Sequence, residues 1–204
     1  MKPSISKCLT LSIGMTVMYF LTGCAITQDH VRLAYVPESG VTNAVGTNVI
    51  LVQVVMTDSR TVRDKVSSKK NAYGMEMAAI VSDDDVPNVV KAAIETELKD
   101  RGFQVKEGGV TVATELSKFY SNFEVHFWSG TAVAEGNMEV QIKGEKGQII
   151  YSRMIAGRGE EPGCQLASGS NAKAALDRAL QDMVARLFAD PAFMESLLKA
   201  AKLD

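Results

Sequence analysis

The chain is short of the residues from which metal sites, disulfide frameworks and nucleophilic catalytic sets are built. Of its 204 residues, 3 are Cys, 2 are His and 1 is Trp. Three cysteines cannot make the bridge network of a small secreted scaffold. The two histidines, His30 and His126, have no cysteine at ligand spacing, so no metal or other cofactor is expected. With 5 prolines among 16 glycines the chain is neither collagen-like nor a disordered low-complexity segment. An excess of positive charge is also missing: the net charge is −2, which leaves no basic footprint for nucleic acid. There is no Gly-x-Ser-x-Gly elbow, P-loop or dinucleotide fingerprint. What is present is an ordinary globular composition, 46% hydrophobic and 23% charged, suited to one domain.

The N-terminus has its own character. Lys2 and Lys7 are the only charges before Asp29. Between Lys7 and Cys24 lies an uncharged stretch diluted by Thr10, Ser12, Gly14 and Thr16. It falls short of the roughly 20 mostly apolar residues of a spanning helix. A basic start before a short apolar core reads as a secretory signal. Its end, Leu21-Thr22-Gly23-Cys24, resembles the lipobox of bacterial lipoproteins. Small residues there admit the backbone to a peptidase, and the thiol receives the lipid. The resemblance implies a signal peptide over 1–23, cleavage before Cys24, and a diacylated, N-acylated Cys24. Acyl chains contribute about 0.8 kcal/mol per buried methylene, and more than one chain makes a stable anchor. Ala25 rather than Asp follows Cys24, which implies sorting to the inner leaflet of the outer membrane, facing the periplasm. Removing residues 1–23 takes two of the 22 basic residues and none of the 24 acids, leaving a net charge of −4. Lipid, and not charge, is the expected link to the membrane.

Beyond a polar tether over 24–30, residues 31–204 read as one domain. Residues 31–36 alternate as a short strand before Pro37, and 38–48 have a loop composition. Residues 48–56 form a dense β-branched run, a buried strand. Residues 60–66 extend it towards a hairpin whose exposed basic turn occupies 67–74; Met75–Val81 is a further strand. Ser82–Asp85 then precedes Val86, Val89, Val90, Ala93, Ile94 and Leu98 at helical spacing, with Pro87 in the first turn and Gly102 beyond the last. Alternation marks strands over 110–120, 126–143 and 148–155. Residues 156–170, with Gly157, Gly159, Gly163 and Gly169, read as a loop. Ser170 or Asn171 caps a second amphipathic helix, and Asp190-Pro191 starts a short last one. The order predicts an α+β fold: an antiparallel or mixed meander with two main helices packed on one face.

Few constellations could carry chemistry. Glu160 and Glu161 adjoin in a glycine-rich stretch without a fixed separation, whereas paired-carboxylate catalysis needs one. Cys164 is the one thiol left after acylation, expected to be shielded. The basic run Arg60, Arg63, Lys65, Lys69, Lys70 reads as a solvated loop, with a lipid or polyanion patch as the other reading. The most specific candidate is an aromatic cluster: Phe119, Tyr120, Phe123, Phe127 and Trp128. In one extended stretch Phe119, Ser121 and Phe123 share a face with Phe127, which suits a sheet core. A hairpin tip near Ser121-Asn122 would instead offer the aromatics to a partner or lipid.

The lipobox, the helix end Glu97-Leu98-Lys99-Asp100-Arg101-Gly102-Phe103-Gln104-Val105, the Leu116–Tyr120 strand and the stretch from Tyr151 to Phe188 together resemble the YajG-type lipoproteins of Gram-negative bacteria. That family supplies no catalytic residues; only Cys24 carries over. The expected function is a lipid-anchored periplasmic accessory protein, without catalysis, that docks on an envelope partner. The alternative is a binding module for a lipid or cell-wall fragment, by analogy with auxiliary lipoproteins of lipid-transport systems.

Overall fold

A computed structural model describes residues 27–41, 47–71, 73–125, 129–144 and 146–201. Among the described residues eight strands form two sheets. The larger has the order β5-β2-β6-β7-β8, built from β2 (Leu51–Asp58), β5 (Gln104–Val105), β6 (Val110–Val125), β7 (Gly130–Lys143) and β8 (Ile149–Cys164). The smaller has the order β1-β4-β3, from β1 (Asp29–Val31), β3 (Ser67–Lys70) and β4 (Glu76–Ser82). Helix α1 (Val86–Asp100) follows β4, while α2 (Gly169–Ala189) and α3 (Pro191–Ala200) end the chain. The α+β class and the β6-β7-β8 antiparallel meander match the sequence reading; β2 joins β6 in parallel, so the sheet is mixed.

Strand β6 shows how the sequence pattern becomes one core face. Val110, Val112, Thr114 and Leu116 point inward, and so do Phe119, Ser121 and Phe123. The parity changes from even to odd because the pairing with β7 slips between Leu116 and Lys118. One extra residue, Ser117, makes a β-bulge, and an odd insertion in a period-2 strand restores the inward face.

The stretch 156–164, expected to be loop, is instead the second half of β8. Its glycines serve close packing of α2. A β-carbon on Gly159 would lie 2.1 Å from the Ala175 carbonyl oxygen, and one on Gly157 would lie 2.5 Å from that of Ala179. With no side chain in between, Ala172, Ala175, Leu176, Ala179, Leu180, Met183 and Leu187 of α2 seat fully in the core. The helix also closes the edge of β8. Asp182 accepts the Arg158 N–H at 2.9 Å, and Arg178 donates to the Glu160 carbonyl. An edge strand whose backbone groups are taken up by helix side chains is a poor template for further strands.

The caps follow the expected chemistry with one shift. Pro87 lies in the first turn of α1 behind Asp85, and the helix stops where Gly102 takes φ 93° and donates to the Lys99 carbonyl. Helix α2 is capped by Ser168, not by Ser170 or Asn171: its hydroxyl accepts from the Asn171 N–H. Asp190 caps α3 through the Ala192 N–H at 3.0 Å and accepts from the Tyr151 hydroxyl at 2.8 Å. Phe193 packs edge-on to Tyr151 and Phe188 behind it.

The N-terminal strand is β1, Asp29–Val31; residues 32–36 carry no strand. Pairing thus begins within the stretch read as tether. The remainder, to Glu38, is stitched down by side chains. Asp84 accepts the Leu33 N–H and Asp177 the Ala34 N–H, both at 2.9 Å.

Candidate functional site

The acylation candidate, Cys24, lies outside the described residues, as does the 1–23 segment. What the structure supplies is the point at which the chain enters the domain. Asp29, five residues on, is held by three groups. Its Oδ1 meets Lys69 Nζ at 2.7 Å, its Oδ2 accepts the Gly169 N–H at 2.8 Å, and its backbone pairs with Ile80. Burial alone would raise this carboxyl, but Lys69, the Gly169 N–H and His30 outweigh it and hold the pKa below the ordinary value. Gly169 opens α2, so the carboxylate also sits at the positive end of a helix dipole. The entry point is thereby locked to β3, β4 and α2 together.

A second charged clasp holds the other end of the same segment. Glu97, almost fully buried on α1, accepts from the Tyr35 hydroxyl at 2.5 Å, from the Glu38 N–H at 2.9 Å and from Arg101. Arg101 also reaches Glu38 at 2.9 Å and lies over the Phe188 ring. Burial would raise the Glu97 carboxyl; the Tyr35 and Glu38 donors and the Arg101 charge more than reverse it, so its pKa is lowered. Burial and the neighbouring Glu97 push the Tyr35 phenol well up. These are structural ion networks, a common source of shifted pKa values away from any reaction.

The aromatic cluster divides. Phe119 is 1% exposed and Phe123 is 5%; both face the core. Tyr120 is half-buried, with its hydroxyl 3.3 Å from that of Ser68. Phe127 and Trp128 lie outside the described residues. The hairpin tip imagined at Ser121-Asn122 is not there: both residues are within β6, opposite Ala134 and Val133 of β7. Phe119, Tyr120 and Phe123 therefore form no exposed patch, because the bulge turns the two phenylalanines inward.

Most of the basic run is likewise taken up by the fold. Residues 67–70 form strand β3 rather than an exposed turn, with Ser67, Ser68 and Lys69 buried. Arg60 is buried on the Asp58 carboxylate, two bonds of 2.9 Å, and burial of a cation is tolerable only with such a partner. Lys65 pairs with Glu76 at 2.6 Å, and Lys70 donates to Asn122. The solvated-loop reading holds for 61–64, where Arg63 is exposed with its Nε on the Arg60 carbonyl; it fails for Arg60, Lys69 and the rest of β3, which are buried or paired.

Glu160 and Glu161 pair with Arg158 and Arg178 respectively, so no two free carboxylates face each other there. The Cys164 thiol is buried and donates to the Glu161 carbonyl at 3.0 Å, which shields it as expected. His30 rests on Asp83 at 2.7 Å, while His126 lies outside the described residues. Among the described residues no group of three or more His, Cys, Asp or Glu could hold a metal ion. Shallow grooves of about 280 Å³ and about 290 Å³ run beside Glu135, Arg158 and Asp182, and beside Arg60, Val62 and Lys118. The charged groups in them are mostly paired with each other.

The feature that sequence reasoning missed is at the entry point itself. The β3–β4 turn, which lies beyond Asp29 on the side from which the chain enters, and the β8–α2 connection, which leads to Gly169, carry Tyr73, 89% exposed, Met75, 58%, and Leu166, 76%. The only sequence signal was Tyr73 beside Gly74 in a turn, and that does not tell which end of the domain the turn occupies.

The profile of a family described as uncharacterised lipoprotein matches residues 37–197. Among curated proteins none matches. Of solved structures, protein XCC0632 from Xanthomonas campestris is similar, with TM-score 0.57 and 12% identity over 83% of this chain and 98% of that one. A minor lipoprotein from Acinetobacter baumannii gives TM-score 0.43 and 8% identity over 73% and 94%. The first likeness is one of fold.

Proposed function

The chain belongs to the YajG family of uncharacterised lipoproteins, and on that premise we propose that it is a lipid-anchored accessory protein of the bacterial envelope. Cys24 carries the acyl chains, and the 1–23 segment is the signal that is removed. Ala25 directs the protein to the inner leaflet of the outer membrane, with the domain in the periplasm. Its work is to dock on an envelope partner rather than to catalyse.

The observation that supports this reading best is the lock on Asp29 by Lys69, Gly169 and Ile80. A chain that leaves a rigid, triply held point five residues after the acylated cysteine keeps its domain at a short, defined distance from the membrane. Five residues span about 17 Å at full extension. Such an arrangement suits a protein that presents a body to a neighbour at fixed height. No helix among the described residues is long and apolar enough to cross a membrane, so on this reading the lipid is the attachment.

The test has two parts. Labelled palmitate should enter the unsubstituted chain and not Cys24→Ser, and the variant should leave the membrane fraction. Crosslinking in intact cells should trap one defined envelope protein. Membrane retention of the unlabelled Cys24→Ser chain would end the lipid-anchor reading, and absence of any trapped partner would end the docking one.

A further inference from the structure

We propose that the end of the domain bearing the β3–β4 turn rests on the bilayer, with Tyr73, Met75 and Leu166 seated in its headgroup region. This rests on acylation of Cys24. It adds an orientation and a contact surface that the anchor alone does not specify.

The topology brings three segments to one end. Strand β1 pairs with β4 in parallel and β3 pairs with β4 antiparallel, Asp29 and Ser67 both lying opposite Ile80. Strand β3 therefore runs against β1, past the entry point, and turns outward beyond it. Lys69 touches Asp29, so the turn from Lys70 to Glu76 projects past the first residue of β1. About three residues of strand on each arm carry it roughly 10 Å further, by the rise of an extended chain. On the other side Asp29 holds the first helical residue, Gly169, and Leu166 precedes that residue by three.

The described residues of the turn are tied to one another. The Asn71 side chain accepts from the N–H groups of Tyr73 and Met75, both at 3.0 Å, the Gly74 N–H donates to the Asn71 carbonyl, and Gly74 takes φ 79°. A side-chain-bridged turn of this kind with glycine in the left-handed region holds its shape. It holds up a tyrosine that touches almost nothing of its own chain. The neighbouring connection is pinned too, since Asn171 donates to the Leu166 carbonyl at 2.9 Å. Tyrosine, apolar in body and polar at its tip, suits a membrane interface.

Chain length decides which surface. The opposite end of the larger sheet also exposes apolar groups, Val49 at 75% and Ile149 at 57%. Strand β8 runs from one of those ends to the other, Ile149 to Cys164, about 50 Å along the chain at 3.3 Å per residue. The link from Cys24 to Asp29 spans about 17 Å at most. The acyl chains can therefore bring only the Tyr73 end to the bilayer, and the projection of the turn is within the reach of the link. Three side chains bind weakly alone, but the tether makes their insertion intramolecular, so a small gain in contact suffices to orient the domain.

The full-length protein answers the question. Tyr73→Cys, Leu166→Cys and Val49→Cys are labelled in turn with a fluorescent maleimide; Cys164 is buried and Cys24 is blocked by its acyl group. Each purified chain is reconstituted into phosphatidylethanolamine–phosphatidylglycerol vesicles containing a nitroxide lipid, and palmitate at Cys24 is measured on the same sample. The expected result is loss of fluorescence at positions 73 and 166 and none at 49. If palmitate is present and position 73 stays as bright as position 49, or all three positions lose fluorescence alike, the docking surface is overturned and the anchor stands. If the chain carries no palmitate, anchor and docking fall together.

Discussion

Two hairpin segments with aromatic residues have opposite fates in this molecule. In β6, Phe119 and Phe123 are sunk in the core beneath α2 and Tyr120 is half-covered. In the β3–β4 turn, Tyr73 stands in solvent, with Met75 beside it. The described residues of the richer cluster are structural, and the sparser pair lies at the surface. An aromatic count therefore says little about exposure. The register of the strand and the position of the turn relative to the chain's entry point decide it.

Deletion of Ser117 should have the largest effect. Without the bulge residue, either Phe119 and Phe123 or Val110 to Leu116 must face solvent, and the cooperative thermal transition should vanish. A variant that unfolds like the unaltered chain would show that the bulge does not set the parity. Phe119→Ala follows, with a loss of about 3–5 kcal/mol expected for a fully buried ring, read from the shift of the urea midpoint. Gly159→Ala should lose about 1–3 kcal/mol, since the added carbon meets the Ala175 carbonyl and pushes α2 away from β8; near-ultraviolet circular dichroism should register the loosened packing.

The acid response comes next. The Glu97 carboxyl is lowered in the fold from an ordinary value of 4.5. Its contribution is complete well above that value and is lost as pH falls through the lower folded one, because the unfolded state takes the proton first. Chemical denaturation between pH 6 and about pH 3 should show stability declining with acid, and Glu97→Gln should flatten part of that decline. An unchanged slope would remove Glu97 from the account. Tyr73→Ser should have the smallest effect on folding, within about 0.5 kcal/mol. If it destabilises as much as Phe119→Ala, the turn is part of the core and the contrast collapses.

Much of the architecture was legible along the chain. The 3.6-residue spacing from Val86 to Leu98 and from Ala172 to Leu187 marked both main helices, and Pro87, Gly102, Asp190 and Pro191 marked their ends. Alternation marked the three meander strands. Even the inward grouping of Phe119, Ser121 and Phe123 followed from period two. The glycines of 157–159 misled, because glycine is equally the residue of a loop and of a strand on which a helix lies directly. Lys69 misled because a lysine in a basic run looks solvated until a distant carboxylate, Asp29, is placed beside it.

By itself, then, the sequence determined the elements, the core-facing stripes and the candidate acylation site at Cys24, since each depends on residues close together in the chain. Only the tertiary structure decided which glycines lie beneath a helix, which charges are buried as pairs, and which turn shares an end with the tether. The contacts of Gly159 and Gly157 with α2 join residues 16 and 22 positions apart, and those of Asp29 with Lys69 and Gly169 join residues 40 and 140 apart, too far for a local pattern to encode.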